Sequence, residues 1–73
     1  MERVPLESTS IASAGYQAET QTLEIEFRSG QVYRYLEVPE EIYIGLMAAE
    51  SAGGYFMRRI REHFAFERLP VSS

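Results

Sequence analysis

At 73 residues the chain has room for one domain, which buries only about 60% of its unfolded surface and must draw stability from apolar packing or a partner subunit. It contains no Cys, which excludes disulfides and thiolate metal sites. A net charge of −4 disfavours holding a phosphate backbone by bulk charge, while 45% hydrophobic and 25% charged residues describe a globular chain.

The charge is unevenly spread. Residues 1–50 hold nine Glu and three Arg, whereas residues 51–73 hold two Glu and four Arg. All seven basic residues are Arg, which makes planar, bidentate and stacking contacts that Lys cannot. Composition bias is the simpler account of this. No apolar run is long enough to cross a bilayer, and the acidic, polar N-terminus does not read as a signal peptide. A soluble, cytoplasmic protein is the expectation.

Residues 1–7, MERVPLE, are expected to be a flexible polar lead-in, with the folded domain spanning 8–69 and a loose tail at 70–73. Ser10 to Tyr16 predicts a first short strand, with Gly15 at a bulge or a close backbone approach. Gln17 to Gln21 is a short polar connection, which favours an antiparallel neighbour. In Thr22 to Phe27, Leu23, Ile25 and Phe27 alternate with Glu24 and Glu26. Ser29-Gly30 interrupts, and Val32 to Val38 runs back rich in β-branched and aromatic residues, so the pattern predicts a hairpin.

Two registers fit this hairpin. A two-residue Ser29-Gly30 turn sets Ile25 opposite Arg34 and leaves Tyr33 and Tyr35 on the outer face. A three-residue loop with Gly30 left-handed sets Ile25 opposite Tyr33 and Leu23 opposite Tyr35, inside the core. Ser is a poor first residue for the tighter turn, whereas side-chain periodicity favours exposed tyrosines.

Pro39 to Ser51 predicts the first helix, with Glu40 and Glu41 where the helix dipole favours negative charge. Ile42, Leu46 and Ala49 form its inward stripe. Ile44 lies nearly opposite and, beside Ala48, is a candidate self-association contact. Gly53-Gly54 is expected to stop this helix. A second helix, about Gly54 to Glu62, turns Phe56 and Ile60 inward and Arg58 and Arg61 outward; Phe64-Ala65-Phe66 suggests a short extended segment after it. The expected architecture is an α+β domain: a three-stranded antiparallel meander followed by two helices packed on one face.

Three stretches together resemble the KTSC domain family: Ile11…Gly15-Tyr16, LEIEFRSGQVYRYLEVP and AAESAGGYFMRRIREHFAFERL. The most specific signals are Tyr33-x-Tyr35, Val38-Pro39, Ser51-x-Gly53-x-Tyr55-Phe56 and Ile60-Arg61, in that order and spacing. The resemblance covers about Ser8 to Leu69. It implies a small domain found alone in bacteria and phage, or at the C-terminus of some lysyl-tRNA synthetases, from which RNA binding has been suggested. The chain departs from the family pattern in having Met57 where Asn is common and in having no Lys.

His63 is the sole histidine, and without Cys or Asp no metal centre is expected. Nothing assembles a nucleophile, a base and an oxyanion site, so no enzyme and no cofactor are expected. Gly53-Gly54 lacks the Lys-Ser/Thr of a phosphate-binding loop. The best constellation is Tyr33, Arg34, Tyr35, Tyr55, Arg58, Arg59 and Arg61, since Arg fixes phosphates and exposed aromatics stack bases. The competing reading buries the tyrosines and pairs the arginines with Glu. The function expected is therefore a non-enzymatic binding module for RNA, single-stranded or tRNA-associated. The alternative is a protein-interaction module or homodimer using Ile44 and Ala48.

Overall fold

The computed structural model describes residues 2–69; the tail expected at 70–73 lies outside the described residues. The elements run β1 (Val4–Pro5), β2 (Ile11–Gln17), β3 (Thr22–Phe27), β4 (Val32–Tyr35), α1 (Glu40–Ala48), α2 (Ala52–Arg59) and β5 (Phe66–Leu69). The sheet is antiparallel with strand order β1-β2-β3-β4-β5. The expected meander is its centre, but the three-stranded count is corrected to five. The two added strands sit at the edges of the sheet, and neither shows a hydrophobic alternation of its own. No helix among the described residues is long and apolar enough to cross a membrane.

The hairpin adopts the three-residue loop. Gly30 has φ +96°, a conformation that costs a side-chain-bearing residue dearly. Its N–H donates to the Phe27 carbonyl, and the Phe27 N–H donates to the Gln31 carbonyl, both at 2.9 Å. Ile25 therefore faces Tyr33 and Leu23 faces Tyr35. Both tyrosines point to the helix side, and turn chemistry outweighs the simple alternation along β4. The strand expected to reach Val38 ends at Tyr35, and Glu37 at φ +54° turns the chain out of the extended run. In β2 the extra residue of the ladder falls between Ile11 and Ser13. Gly15 instead marks a close approach: a Cβ there would lie 2.6 Å from the Glu2 carbonyl oxygen.

Pro39, in extended conformation, caps α1, and Glu40 and Glu41 occupy its first turn. The helix stops at Ala49, whose ψ of 143° takes the chain out without a glycine. Gly53 and Gly54, expected to stop the first helix, lie instead in the first turn of α2. The cause is Ser51, whose hydroxyl accepts from the Gly54 N–H at 3.1 Å and satisfies one of the open donors there. At the far end the N–H groups of Ile60 and Arg61 both donate to the Phe56 carbonyl. That widened turn takes Arg61 off the helical spiral.

Ile11, Leu23 and Ile25 from the sheet meet Leu46 and Ile60 from the helices with no exposed surface. Each such side chain contributes about 1.5–3 kcal/mol by burial. Phe56 and Ile42 complete this layer. The opposite sheet face is polar, yet Ser13, Thr22 and Glu24 on it are also buried.

Candidate functional site

The concave surface richest in aromatic rings lies where β4, β5 and the end of α2 meet. It is a cleft of about 510 Å³ lined by Phe27, Gln31, Tyr33, Tyr35, Phe56, Arg61, Glu62 and Phe66. Register explains its walls. Tyr35 is paired with Phe66 and with Leu23, which sets the Tyr35 and Phe66 rings side by side on the helix face. Their centroids are 5.4 Å apart, and Phe66 lies nearly parallel to Tyr33 at 5.3 Å. Phe56 meets Tyr35 and Phe27 edge-on, and Phe27 meets Tyr33 likewise. Offset and edge-to-face contacts of this kind add about 0.5–1.5 kcal/mol per pair beyond burial. Tyr35 forms the floor at 2% exposure, whereas Phe66 is 50% exposed at the rim.

Polar groups mark the mouth. Arg61 is exposed, and its Nη1 approaches Met57 Sδ at 3.6 Å. Burial pushes the Tyr35 phenol up to about 12; the neighbouring Tyr33 phenol adds to the shift and Arg61 opposes it. At neutral pH Tyr35 is therefore a neutral hydroxyl. Among the described residues, neither Arg61 nor Glu62 enters an ion pair.

The residues singled out in the sequence separate into three places. Tyr33, Tyr35 and Arg61 come together in the cleft. Tyr55, Arg58 and Arg59 gather at the α1–α2 junction. Arg59 there lies 5.9 Å from the Tyr55 ring centroid, and Arg58 and Tyr55 line a shallow hollow with Ala48 and Glu50. Arg34 is on the other face of the sheet, 3.1 Å from Glu24, with Glu67 as its register neighbour on β5. Glu24 also takes Arg3 at 3.8 Å, so this face binds its own charges. Ile44, 58% exposed, and Ala48 lie on the outer side of α1. His63 Nε2 lies 3.0 Å from the Arg58 carbonyl and helps close the end of α2.

Sequence reasoning missed Phe27, Gln31, Phe56, Glu62 and Phe66 as lining residues. The available signal was the Phe64-Ala65-Phe66 alternation. Continued as a strand beside β4, it would have set Phe66 opposite Tyr35.

Fold and cleft together define a small α+β domain with an aromatic recess at one sheet margin. The KTSC domain model matches residues 7–64, and the chain belongs to the KTSC domain family. It is 43% identical over 70 residues to an uncharacterised protein of Stutzerimonas stutzeri, covering 94% of this chain and 99% of that one. It is also 43% identical over 63 residues to a lysine–tRNA ligase of Nostoc punctiforme, covering 86% of this chain but 11% of the ligase. A crystal structure of a KTSC domain protein from Yersinia pestis superimposes with a TM-score of 0.92 at 36% identity, covering 94% and 97% of the two chains.

Proposed function

We propose that this protein is a non-enzymatic module that binds single-stranded RNA, free or as part of a tRNA-associated assembly, in the cytoplasm. The observation that carries the reading is the cleft in which the half-exposed Phe66 and part-buried Tyr33, over a floor of buried Tyr35, flank an arginine free of ion pairs among the described residues. Aromatic faces stack bases at about 1–3 kcal/mol each, and Arg holds the adjoining phosphates. Arg58 and Arg59, exposed at the α1–α2 junction rather than in the cleft, form a separate basic patch that meets phosphates farther along the strand. The lysine–tRNA ligases that carry a homologous segment give the RNA a second line of support. Arg34 has no part in this reading, because Glu24 holds it on the opposite face.

Fluorescence anisotropy with short unstructured RNAs tests the proposal. Arg58→Glu combined with Arg61→Glu is expected to abolish binding at low salt while leaving the circular dichroism unchanged. With Arg58 and Arg59 on phosphates, log affinity should fall against log salt with a slope of about −1.4. An affinity indifferent to salt would refute the electrostatic part. A second reading is favoured by the exposure of Ile44 beside Ala48: self-association through α1. It requires a dimer by light scattering that Ile44→Glu dissociates, and a monomer at high concentration defeats it.

A further inference from the structure

The cleft holds more chemistry than a stacking platform requires. Its floor is the edge of a deeply buried tyrosine, its walls are phenyl rings, and its mouth carries Arg61 beside Glu62. Arg61 offers donors only, in a planar fork; the Glu62 carboxylate offers acceptors only. Neither is engaged by an opposite charge among the described residues. A flat ring entering between Phe66 and the end of α2 would therefore meet a donor pair and an acceptor pair carried by consecutive residues.

Base edges differ in what they return to such a mouth. Guanine presents two neighbouring acceptors, O6 and N7, and two neighbouring donors, N1–H and the N2 amino group. An arginine fork matches the first pair and a carboxylate matches the second. Adenine has no adjacent pair of donor sites for a carboxylate. Cytosine and uracil each offer one donor site on the pairing edge. Gln31 also lines the cleft, and an amide by itself suits adenine. Bonds from charged partners are about twice as strong as neutral ones, so the Arg61 and Glu62 pair decides. A volume of about 510 Å³ lies in the range of small-molecule sites and admits one purine nucleoside.

We infer that the cleft between β4, β5 and the end of α2 takes a single unpaired guanine of an RNA strand. The half-exposed Phe66 ring, backed by Tyr33 stacked behind it, holds the plane of the base, Arg61 takes its acceptor edge and Glu62 its donor edge. This inference rests on the RNA-binding reading and adds a base preference to it. The same chemistry would accept the base of a free guanine nucleotide, so the two sources need separate arms.

The experiment is fluorescence anisotropy of the full chain with oligouridine strands carrying one central G, A, C or U. Guanosine monophosphate is the competitor. The G strand should bind about tenfold tighter than the others, the scale on which one bidentate pair discriminates. Glu62→Gln should narrow the preference for the G strand over the A strand, and Arg61→Gln combined with Glu62→Gln should bring the two strands level. Arg61 and Glu62 are exposed, so these variants leave the fold untouched, as circular dichroism should confirm. Equal affinity for all four strands would overturn the base preference and leave RNA binding standing. No binding to any strand would overturn both. Competition by the mononucleotide at the affinity of the G strand would support the guanine site and overturn its assignment to RNA. A G preference undiminished by Glu62→Gln, or one that survives in the Arg61→Gln, Glu62→Gln double variant, would overturn the stated recognition.

Discussion

Gly45 sits in α1 directly beneath Tyr55 of α2, and two opposing effects meet there. In an exposed helix interior, Ala is more favourable than Gly by about 1 kcal/mol. A methyl at Gly45, however, would overlap the Tyr55 hydroxyl and lie 2.6 Å from Cζ and 2.9 Å from Cε2. Relief requires the ring to swing off α1. Overpacking of this kind costs about 1–3 kcal/mol. The displaced ring also loses the Arg59 guanidinium held 5.9 Å from its centroid, worth about 0.5–1 kcal/mol at an exposed site. The clash should win, so Gly45→Ala is expected to destabilise by about 1 kcal/mol, or about 4–8 °C in Tm for a domain of this size. In a Tyr55→Ala background the obstacle is gone, and the same substitution should stabilise by about 1 kcal/mol. Urea denaturation of the four proteins measures both numbers, and their opposite signs are the diagnostic. Stabilisation by Gly45→Ala in both backgrounds would refute the account of how the helices are seated.

Tyr35 ties stability to alkaline pH. Its folded phenol is raised from 10.0 to about 12, so between those values the native state keeps a proton that the unfolded chain releases. Its contribution is full below pH 10 and is lost as pH rises towards 12, with a slope of up to about 1.4 kcal/mol per pH unit. Tyr35→Phe should remove that slope; parallel pH profiles for the two proteins would contradict it. On the opposite face, a double-mutant cycle of Glu24→Gln and Arg34→Ala should give a coupling of about 1 kcal/mol, between exposed and fully buried pairs. Arg34→Ala should also leave RNA affinity unchanged, and a tenfold loss would require a different binding face. Removing the α2 cap with Ser51→Ala should cost about 1 kcal/mol in urea denaturation, and a neutral result would mean the Gly54 N–H finds another acceptor.

The hairpin was legible, but its register was not, because turn chemistry and side-chain periodicity pointed opposite ways. Ser29-Gly30 disfavours the two-residue turn, and the left-handed Gly30 then dictates that Tyr33 and Tyr35 face the helices. The inward stripes of the helices were legible in part: Ile42, Leu46, Phe56 and Ile60 keep helical spacing and are buried, whereas Ala49 falls past the end of α1. The edge strands were not. Val4-Pro5 is two residues long with a proline, and Phe66 to Leu69 has a charged centre, so neither carries a strand pattern of its own. Gly53-Gly54 misled because glycine stops helices in general, while here a serine side chain three residues before Gly54 starts one. The arginine cluster misled because helical spacing was carried past Arg59. The widened turn at Phe56 sends Arg61 into the cleft and leaves Arg58 at the α1–α2 junction.

The family match ends at residue 64, before β5 begins at Phe66. A polypeptide trimmed at that boundary would retain both helices and the central hairpin. It would lose the Ala65 carbonyl that receives the Leu36 N–H, together with the outermost ring of the recess. Tyr35 would then meet water along a newly bared backbone edge. Binding measured on such a shortened piece would describe a half-built recess, so fair comparison among relatives calls for chains carried through Leu69.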